Sequence, residues 1–432
     1  MPLRRPLLLA SFLLAGPVLA GSALAQTGTG PDPRLPAPNP AHEATKYSRI
    51  VGWPAGATPK APPGFKVTKF AGGLESPRWL LVLPNGDVLA AESTTNAKPG
   101  AENDPKGAGQ IRSGSAGKSA DRITLLRDAD RDGVAELRAT VLEKLNQPFG
   151  MAYLDGQLYV ANTDGIVRYR FSPGATRITT EPEKILELPA GGYNNHWTRN
   201  LLPNRDGSKL YVSVGSGSNV AEHGLDNETR RANILEINPD GSGERVVASG
   251  LRNPVGMSLE PSTGQLWTAV NERDMLGDDL VPDYITSVKD GAFYGWPFSY
   301  WGGNPDPRLK GQGADLVAKA IAPDYALGSH TASLGLAFYD ADAFGAEYKG
   351  GAFVAQRGSW NRSELTGYKV IFVPFRDGKP SGAARDFLTG FLADEKDGAA
   401  HGRPVGAFAD GRGGLLVTDD AGNSVWHVSA AK

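Results

Sequence analysis

The 432-residue chain has no cysteine. That excludes disulfides, thiolate metal sites, cysteine nucleophiles and haem attachment through C-x-x-C-H. Stability must come from a large core, which about 370 folded residues can build. An excess of one charge sign is also missing: 45 basic and 47 acidic residues leave a net charge of −2. No basic tract favours nucleic acid or anionic lipid. No long amphipathic helix period appears. Nor is there a clean membrane span, because the apolar run Leu7 to Leu19 is short and interrupted by Ser11, Gly16 and Pro17. That run, with Arg4 and Arg5 before it and Ala23-Leu24-Ala25 after it, reads as a secretory signal over residues 1–25. Without Arg4 and Arg5 the balance is 43 basic against 47 acidic residues.

Glycine and proline are plentiful, 55 and 32, which suits many tight turns between short strands. Residues 26–63 are rich in Pro, Gly, Thr and Ala and cannot order themselves alone. They read as a leader that partly wraps a folded body. From Phe65 the pattern is β. Runs such as DVLAAE, QLYVAN, QLWTAV and GLLVTD each follow a Gly, Asn or Asp turn, and an apolar run precedes most of these turns. Each unit is therefore a hairpin, and runs such as ITLLRD, GIVRYRF and YKVIFVPF supply further strands. The expected fold is all-β, a six-bladed β-propeller with four-stranded antiparallel blades over residues 64–432. A pair of packed β-sheets is the alternative.

Six segments carry one motif. Five read Ser76-Pro77-Arg78-Trp79, Gln147-Pro148-Phe149-Gly150, Asn253-Pro254-Val255-Gly256, Ala332-Ser333-Leu334-Gly335 and Arg403-Pro404-Val405-Gly406. The sixth, Asn195-His196-Trp197-Thr198, has His196 in the slot of the proline or serine. The spacing, roughly 50 to 80 residues, is that of propeller blades with decorated loops. Equivalent positions in a closed radial repeat face one central space. The register thus collects Gln147, Asn195, His196, Arg252, Asn253, Ser333 and Arg403 at one mouth. Converging guanidiniums favour a multivalent anion, because arginine grips carboxylate in a bidentate fork. His196 is the side chain of this ring with a near-neutral pKa, and nearby cations favour its neutral, proton-accepting form. A base beside an anion pocket suggests chemistry. The bland alternative is a histidine packed beside Trp197.

Three further clusters stand out. Asn271 to Tyr284 holds Glu272, Arg273, Asp274, Asp278, Asp279 and Asp283, a density of hard oxygens that suits Ca²⁺ or a solvated acidic loop. Asp128, Asp130 and Asp132 precede Gly133 like the start of a calcium loop. The twelfth position is Ala139, not glutamate, which leaves Glu136 as a shorter-reach substitute or the whole as an Asp-rich turn. Arg357 and Arg362 flank Trp360, and either could reach a central anion or stack on the surface. Tyr300, Trp301 and Tyr325 could form a sugar-stacking wall or pack in the core.

The segments GLRNPVGMSLEP, VNERDMLGDDLVPDY, AFYGWP, GSWNR…TGYKV and GRPVGAFAD…LLVTDD carry a resemblance. From Phe65 to Val428 the chain resembles the sugar dehydrogenases that depend on pyrroloquinoline quinone (PQQ). The resemblance is to the soluble glucose dehydrogenase type and, within it, to the branch of L-sorbosone and pyranose dehydrogenases. The resemblance implies a six-bladed propeller with PQQ over the mouth of the tunnel. It implies His196 as general base and Arg252, with Asn253, at the reactive quinone edge. It also implies Arg403 and one of Arg357 or Arg362 on the PQQ carboxylates, with Gln147 and Asn195 on the same ring. A catalytic Ca²⁺ is implied on backbone carbonyls at Arg273 and Asp274, next to Glu272. Two positions depart from the family pattern: Asn195 replaces an acidic residue before the histidine, and Arg357 precedes Gly-Ser-Trp. The glucose-contacting loops are not recognisable.

The expected protein is a periplasmic quinoprotein that oxidises a sugar or a sugar-derived aldehyde by hydride transfer to PQQ, with Ca²⁺ as second cofactor. Electrons must leave to an external cytochrome or quinone, because the chain cannot attach haem through C-x-x-C-H. Two rivals remain open. One is a calcium-dependent propeller lactonase, disfavoured by a mouth richer in arginine and amides than in carboxylates. The other is a non-catalytic propeller that binds glycan or protein.

Overall fold

The computed structural model describes residues 28–42 and 44–431; the secretory signal expected at 1–25 lies outside the described residues. The described chain is mostly β, with few and short helices. Six sheets follow one another in sequence, each with four antiparallel strands at its centre. Their first strands are Pro77–Val82, Met151–Leu154, Arg199–Pro203, Pro254–Leu259, Ser333–Phe338 and Pro404–Ala409. Each first strand lies against the first strand of the next sheet, and that of the sixth lies against that of the first, so the six form a closed ring. The last sheet is completed by the early strand Phe65–Gly72, which pairs with Ser424–Ala430 and ties the start of the body to its end.

The second strands explain why periodicity of two is weak in this sequence. Val88–Glu92, Leu266–Val270, Ala352–Gln356 and Leu415–Asp419 are buried at every position. Sheets on either side cover both faces, so these strands read as continuous apolar runs. The repeated glycine has an equally direct cause. A Cβ on Gly150 would come within 2.5 Å of the Asn200 backbone in the next sheet. One on Gly256 would meet Leu334 O at 2.5 Å, and one on Gly335 would meet Val405 O at 2.7 Å. The motif glycine is the point where neighbouring first strands touch backbone to backbone. Next to it the ladder is irregular in four sheets, after Pro77, Pro254, Ser333 and Pro404. Such a bulge re-aims the following side chain.

Two excursions matter for the site. The first sheet carries an insertion between Val88–Glu92 and Arg122–Arg127, with a helix (α1, Pro105–Arg112) capped by Asp104, whose carboxylate accepts from Gly107 N at 2.9 Å. The Pro-rich stretch borrows partners from the body. Thr29–Gly30 adds a strand to the fourth sheet, Arg49–Ile50 runs parallel to Ala399–Ala400, and Lys60 bridges Thr389. Its composition cannot supply a core of its own, so it lies along the body as a strap.

Candidate functional site

A cavity of about 360 Å³ opens at the N-terminal ends of the first strands. Its floor includes Arg78, Trp197, Val255 and Leu334, each one residue after Pro77, His196, Pro254 or Ser333. Trp197, Val255 and Leu334 share an apolar cluster with Phe149 and Val405, the same position in two more copies of the motif. The repeat thus plugs the centre of the ring and leaves a cup above the plug.

His196 is buried and lines this cup. Its Nδ1 lies 2.9 Å from Ser216 O and 2.9 Å from Ser216 Oγ. A carbonyl can only accept, and Ser216 Oγ donates its own proton to Ser218 O at 2.6 Å. Nδ1 therefore carries the hydrogen and Nε2 keeps a lone pair. Burial, then the nearby Arg252 charge, pushes the His196 pKa down to about 3. Asn195 also lines the cavity, with Nδ2 3.5 Å from Nε2, at the limit of a hydrogen bond. The result is a neutral imidazole, held from behind.

Arg252 is buried and donates five hydrogen bonds within the protein. Nη1 reaches Glu272 O (2.7 Å) and Asn271 O (3.2 Å). Nη2 reaches Asn219 Oδ1 (2.8 Å) and Asp274 Oδ2 (3.0 Å), and Nε reaches Asn219 O (3.2 Å). It offers the cavity a fixed charge rather than a free donor. Asp274 lines the cavity too; burial opposes its ionisation, but Arg252 and then His330 hold its pKa below the ordinary value. Asn253 completes this wall with a buried Oδ1 that no described group bonds.

The opposite wall is cationic. Asp420 Oδ2 accepts from Arg78 Nη1 at 2.7 Å and from Arg357 Nε at 2.8 Å. Arg403 stands beside them, donating to Arg357 O at 3.0 Å and Gly358 O at 2.8 Å. Two guanidiniums thus share one buried carboxylate, with a third beside them. Burial and then repulsion from Arg357 lower the pKa of both Arg78 and Arg403 to about 10. Arg78 Nε is buried with no partner. Lys106, from α1, adds a further cation at the rim. A buried orphan donor among mutually repelling cations is completed by an anion. A ligand with several carboxylates, such as PQQ, fits this donor set.

Some expected residues fall elsewhere. Gln147 does not line the cavity; its Nε2 holds Thr94 O at 2.9 Å and so braces the neighbouring Thr95, which does. Arg362 is turned away to Asp278 O and Asp279. Of the two arginines flanking Trp360, only Arg357 reaches the cup, together with Trp360 itself. Arg273 is a core residue, bound to Glu272, Asp306, Pro297 O and Ser299 O. Glu272 is spent on Arg273, and its carbonyl on Arg252. The Asp274 carbonyl accepts from Asn219 and Arg308. The carbonyls at 272 and 274 thus already accept from protein donors beside a fixed guanidinium charge. Among the described residues, one hard-oxygen set has cradle spacing: Asp128, Asp130, Asp132 and Glu136, whose ligand atoms lie within 4.8 Å of one another. These do not line the cup. Tyr300 and Tyr325 are buried in the core rather than set as a wall.

Arg78 and Asp420 were not singled out in the sequence, although Arg78 stands inside the first copy of the motif. Tyr47, which also lines the cup, carries no signal at all within its Pro-rich stretch.

Residues 151–367 match the profile of the Glucose / Sorbosone dehydrogenase family, and residues 309–431 match a TrAA12-like profile. The chain is 32% identical over 300 residues to an uncharacterised protein of Borreliella burgdorferi, covering 67% of this chain and 77% of that protein. It is 25% identical over 426 residues to the pyrroloquinoline quinone-dependent pyranose dehydrogenase of Coprinopsis cinerea, covering 84% of this chain. It spans about half, 53%, of the length of that enzyme. The solved holo form of the PQQ domain of Coprinopsis cinerea pyranose dehydrogenase superposes with a TM-score of 0.69 at 21% identity. That match covers 89% of this chain and all of the domain, and shows a shared fold.

Proposed function

The chain belongs to the glucose and sorbosone dehydrogenase family, and from that premise we propose that it is a PQQ-dependent dehydrogenase of sugars or sugar-derived aldehydes. We read its six sheets as the blades of a six-bladed propeller over residues 64–432. We place the protein in the periplasm, after removal of residues 1–25. One observation carries the reading: a neutral His196 whose Nε2 keeps its lone pair faces a cup whose other wall is Arg78, Arg357 and Arg403.

The three arginines and Lys106 would hold the carboxylates of PQQ. When bound, PQQ supplies a quinone that accepts hydride from the carbon bearing the hydroxyl. His196 Nε2 takes the proton of that hydroxyl, or of an aldehyde hydrate, as general base. Ser216 fixes the imidazole so that only Nε2 is available. Arg252 gives a preorganised positive charge beside it, held by five bonds that need no rearrangement during the reaction. No step is assigned to calcium. Its place in this reading is the Asp128–Glu136 loop, as a structural ion. Reoxidation falls to an external cytochrome or quinone.

The lactonase alternative draws no support from the cup, where the lining carboxylates are Asp274, paired with Arg252, and Glu222. Titration of purified protein with PQQ, followed by absorbance and then by dye reduction with aldoses, tests the reading. Lactone hydrolysis without PQQ and no sugar-dependent dye reduction would replace it.

A further inference from the structure

We propose that residues 44–53 of the N-terminal strap form a clamp that retains the cofactor, with Tyr47 against the ligand and Trp53 positioning Arg403. The inference rests on the PQQ reading above. Tyr47 is the one described strap residue that lines the cup. Its ring is parallel to that of Trp360, with centroids 5.7 Å apart and planes at 11°. Its edge is seated on α1, where a Cβ at Gly109 would fall 2.2 Å from the ring. The helix has glycine at the place where the ring must pass.

The strap backbone is tied to the loop that carries the cationic wall. Lys46 N donates to Trp360 O at 2.8 Å, and Asn361 Nδ2 donates to Ala44 O at 2.9 Å. That loop also offers Arg357 O and Gly358 O to the Arg403 guanidinium. Six residues after Tyr47, Trp53 Nε1 donates to Asp419 Oδ2 at 2.7 Å. Asp419 Oδ1 in turn accepts from Arg403 N at 2.7 Å. Trp53 is wedged among Phe391, His401 and Trp426. The strap therefore meets the cationic wall twice, through an aromatic ring at the cup and through a carboxylate behind Arg403. A flat polyanion held by that wall would lie within reach of the ring.

The test uses full-length apoprotein and PQQ, with affinity from tryptophan fluorescence quenching and release followed after dilution. Tyr47→Ala is expected to weaken binding roughly ten-fold, about the worth of one lost aromatic contact, chiefly through faster release. Tyr47→Phe keeps the ring and should stay within about two-fold of wild type. Trp53→Phe removes the N–H to Asp419 together with part of the ring packed on Phe391, His401 and Trp426, and should weaken binding at least about three-fold, the low end for a lost hydrogen bond. If Tyr47→Ala does not fold, Gly109→Ala pushes the ring from the helix side and should speed release in the same way. Unchanged PQQ affinity and release in Tyr47→Ala, including a case where only the KM for sugar rises, would overturn the clamp. So would equal losses in Tyr47→Ala and Tyr47→Phe. If wild type itself binds no PQQ, the functional reading fails and the clamp falls with it.

Discussion

His196→Gln separates a catalytic base from a packed histidine, because the two roles leave different marks on turnover and on stability. Removing a general base costs typically about 10²–10⁴ in rate. The stability mark follows from linkage. The folded pKa of about 3 lies far below the ordinary 6.5, because burial and Arg252 oppose the charged ring. Between those two values the unfolded chain binds the extra proton, so stability is fully present above pH 6.5 and falls as the pH drops towards 3. The slope is about 1.4 kcal/mol per pH unit, or roughly 2 kcal/mol lost at pH 5. Asp283 and Asp419, raised to about 6 chiefly by burial, act in the opposite sense. Subtracting the variant from wild type removes their contribution. Urea unfolding from pH 7.5 to 5, with PQQ-loaded turnover on the same samples, reads both quantities. Near-normal turnover with the acid loss abolished would leave His196 as a buried packing residue. Lost turnover with an unchanged acid profile would show that the ring is not held neutral.

Other outcomes are expected together. Arg403→Gln should weaken PQQ binding about 10- to 100-fold, the range for a lost charge-assisted bond, whereas Arg362→Gln should leave it unchanged; a PQQ titration of both decides. Asp420→Asn leaves Arg78 and Arg357 without their shared carboxylate and should cost about 3–5 kcal/mol in unfolding free energy. PQQ should restore the melting temperature of that variant more than it raises that of wild type. Gly335→Ala should cost about 1–3 kcal/mol, because the next sheet's backbone lies 2.7 Å from the new Cβ. Gly191→Ala, with open space around it, should stay within about 0.5 kcal/mol in the same melts. Calcium at a hundred times its Kd should stabilise wild type by about 2.7 kcal/mol in thermal melts, and Asp132→Asn should lose that gain.

The motif around His196 was legible because each part of it has a local cause. The glycine is where neighbouring backbones touch, and the residue before it plugs the ring. The glycine recurs in four of the six sheets, at 150, 256, 335 and 406, so the constraint shows in the sequence. The two arginines flanking Trp360 were not separable in the same way. They are five residues apart in one loop, and only the folded loop turns Arg357 inward and Arg362 towards Asp278 and Asp279. The arrangement of the acidic run at 272–274 was hidden for a related reason. Charge density in sequence does not show which oxygens Arg252, Asn219 and Arg308 already occupy.

By itself the sequence determined that the chain is β-rich, repeats six times and gathers one histidine with several arginines on a common register. Periodicity and spacing carry that information, because each strand and turn is dictated by neighbours a few residues away. Only the tertiary structure decided that Asp420 is shared by Arg78 and Arg357, that Ser216 leaves Nε2 of His196 free, and that Tyr47 enters the cup. These contacts join residues separated by 20 to 342 positions. No local rule encodes them; the closing of the ring does.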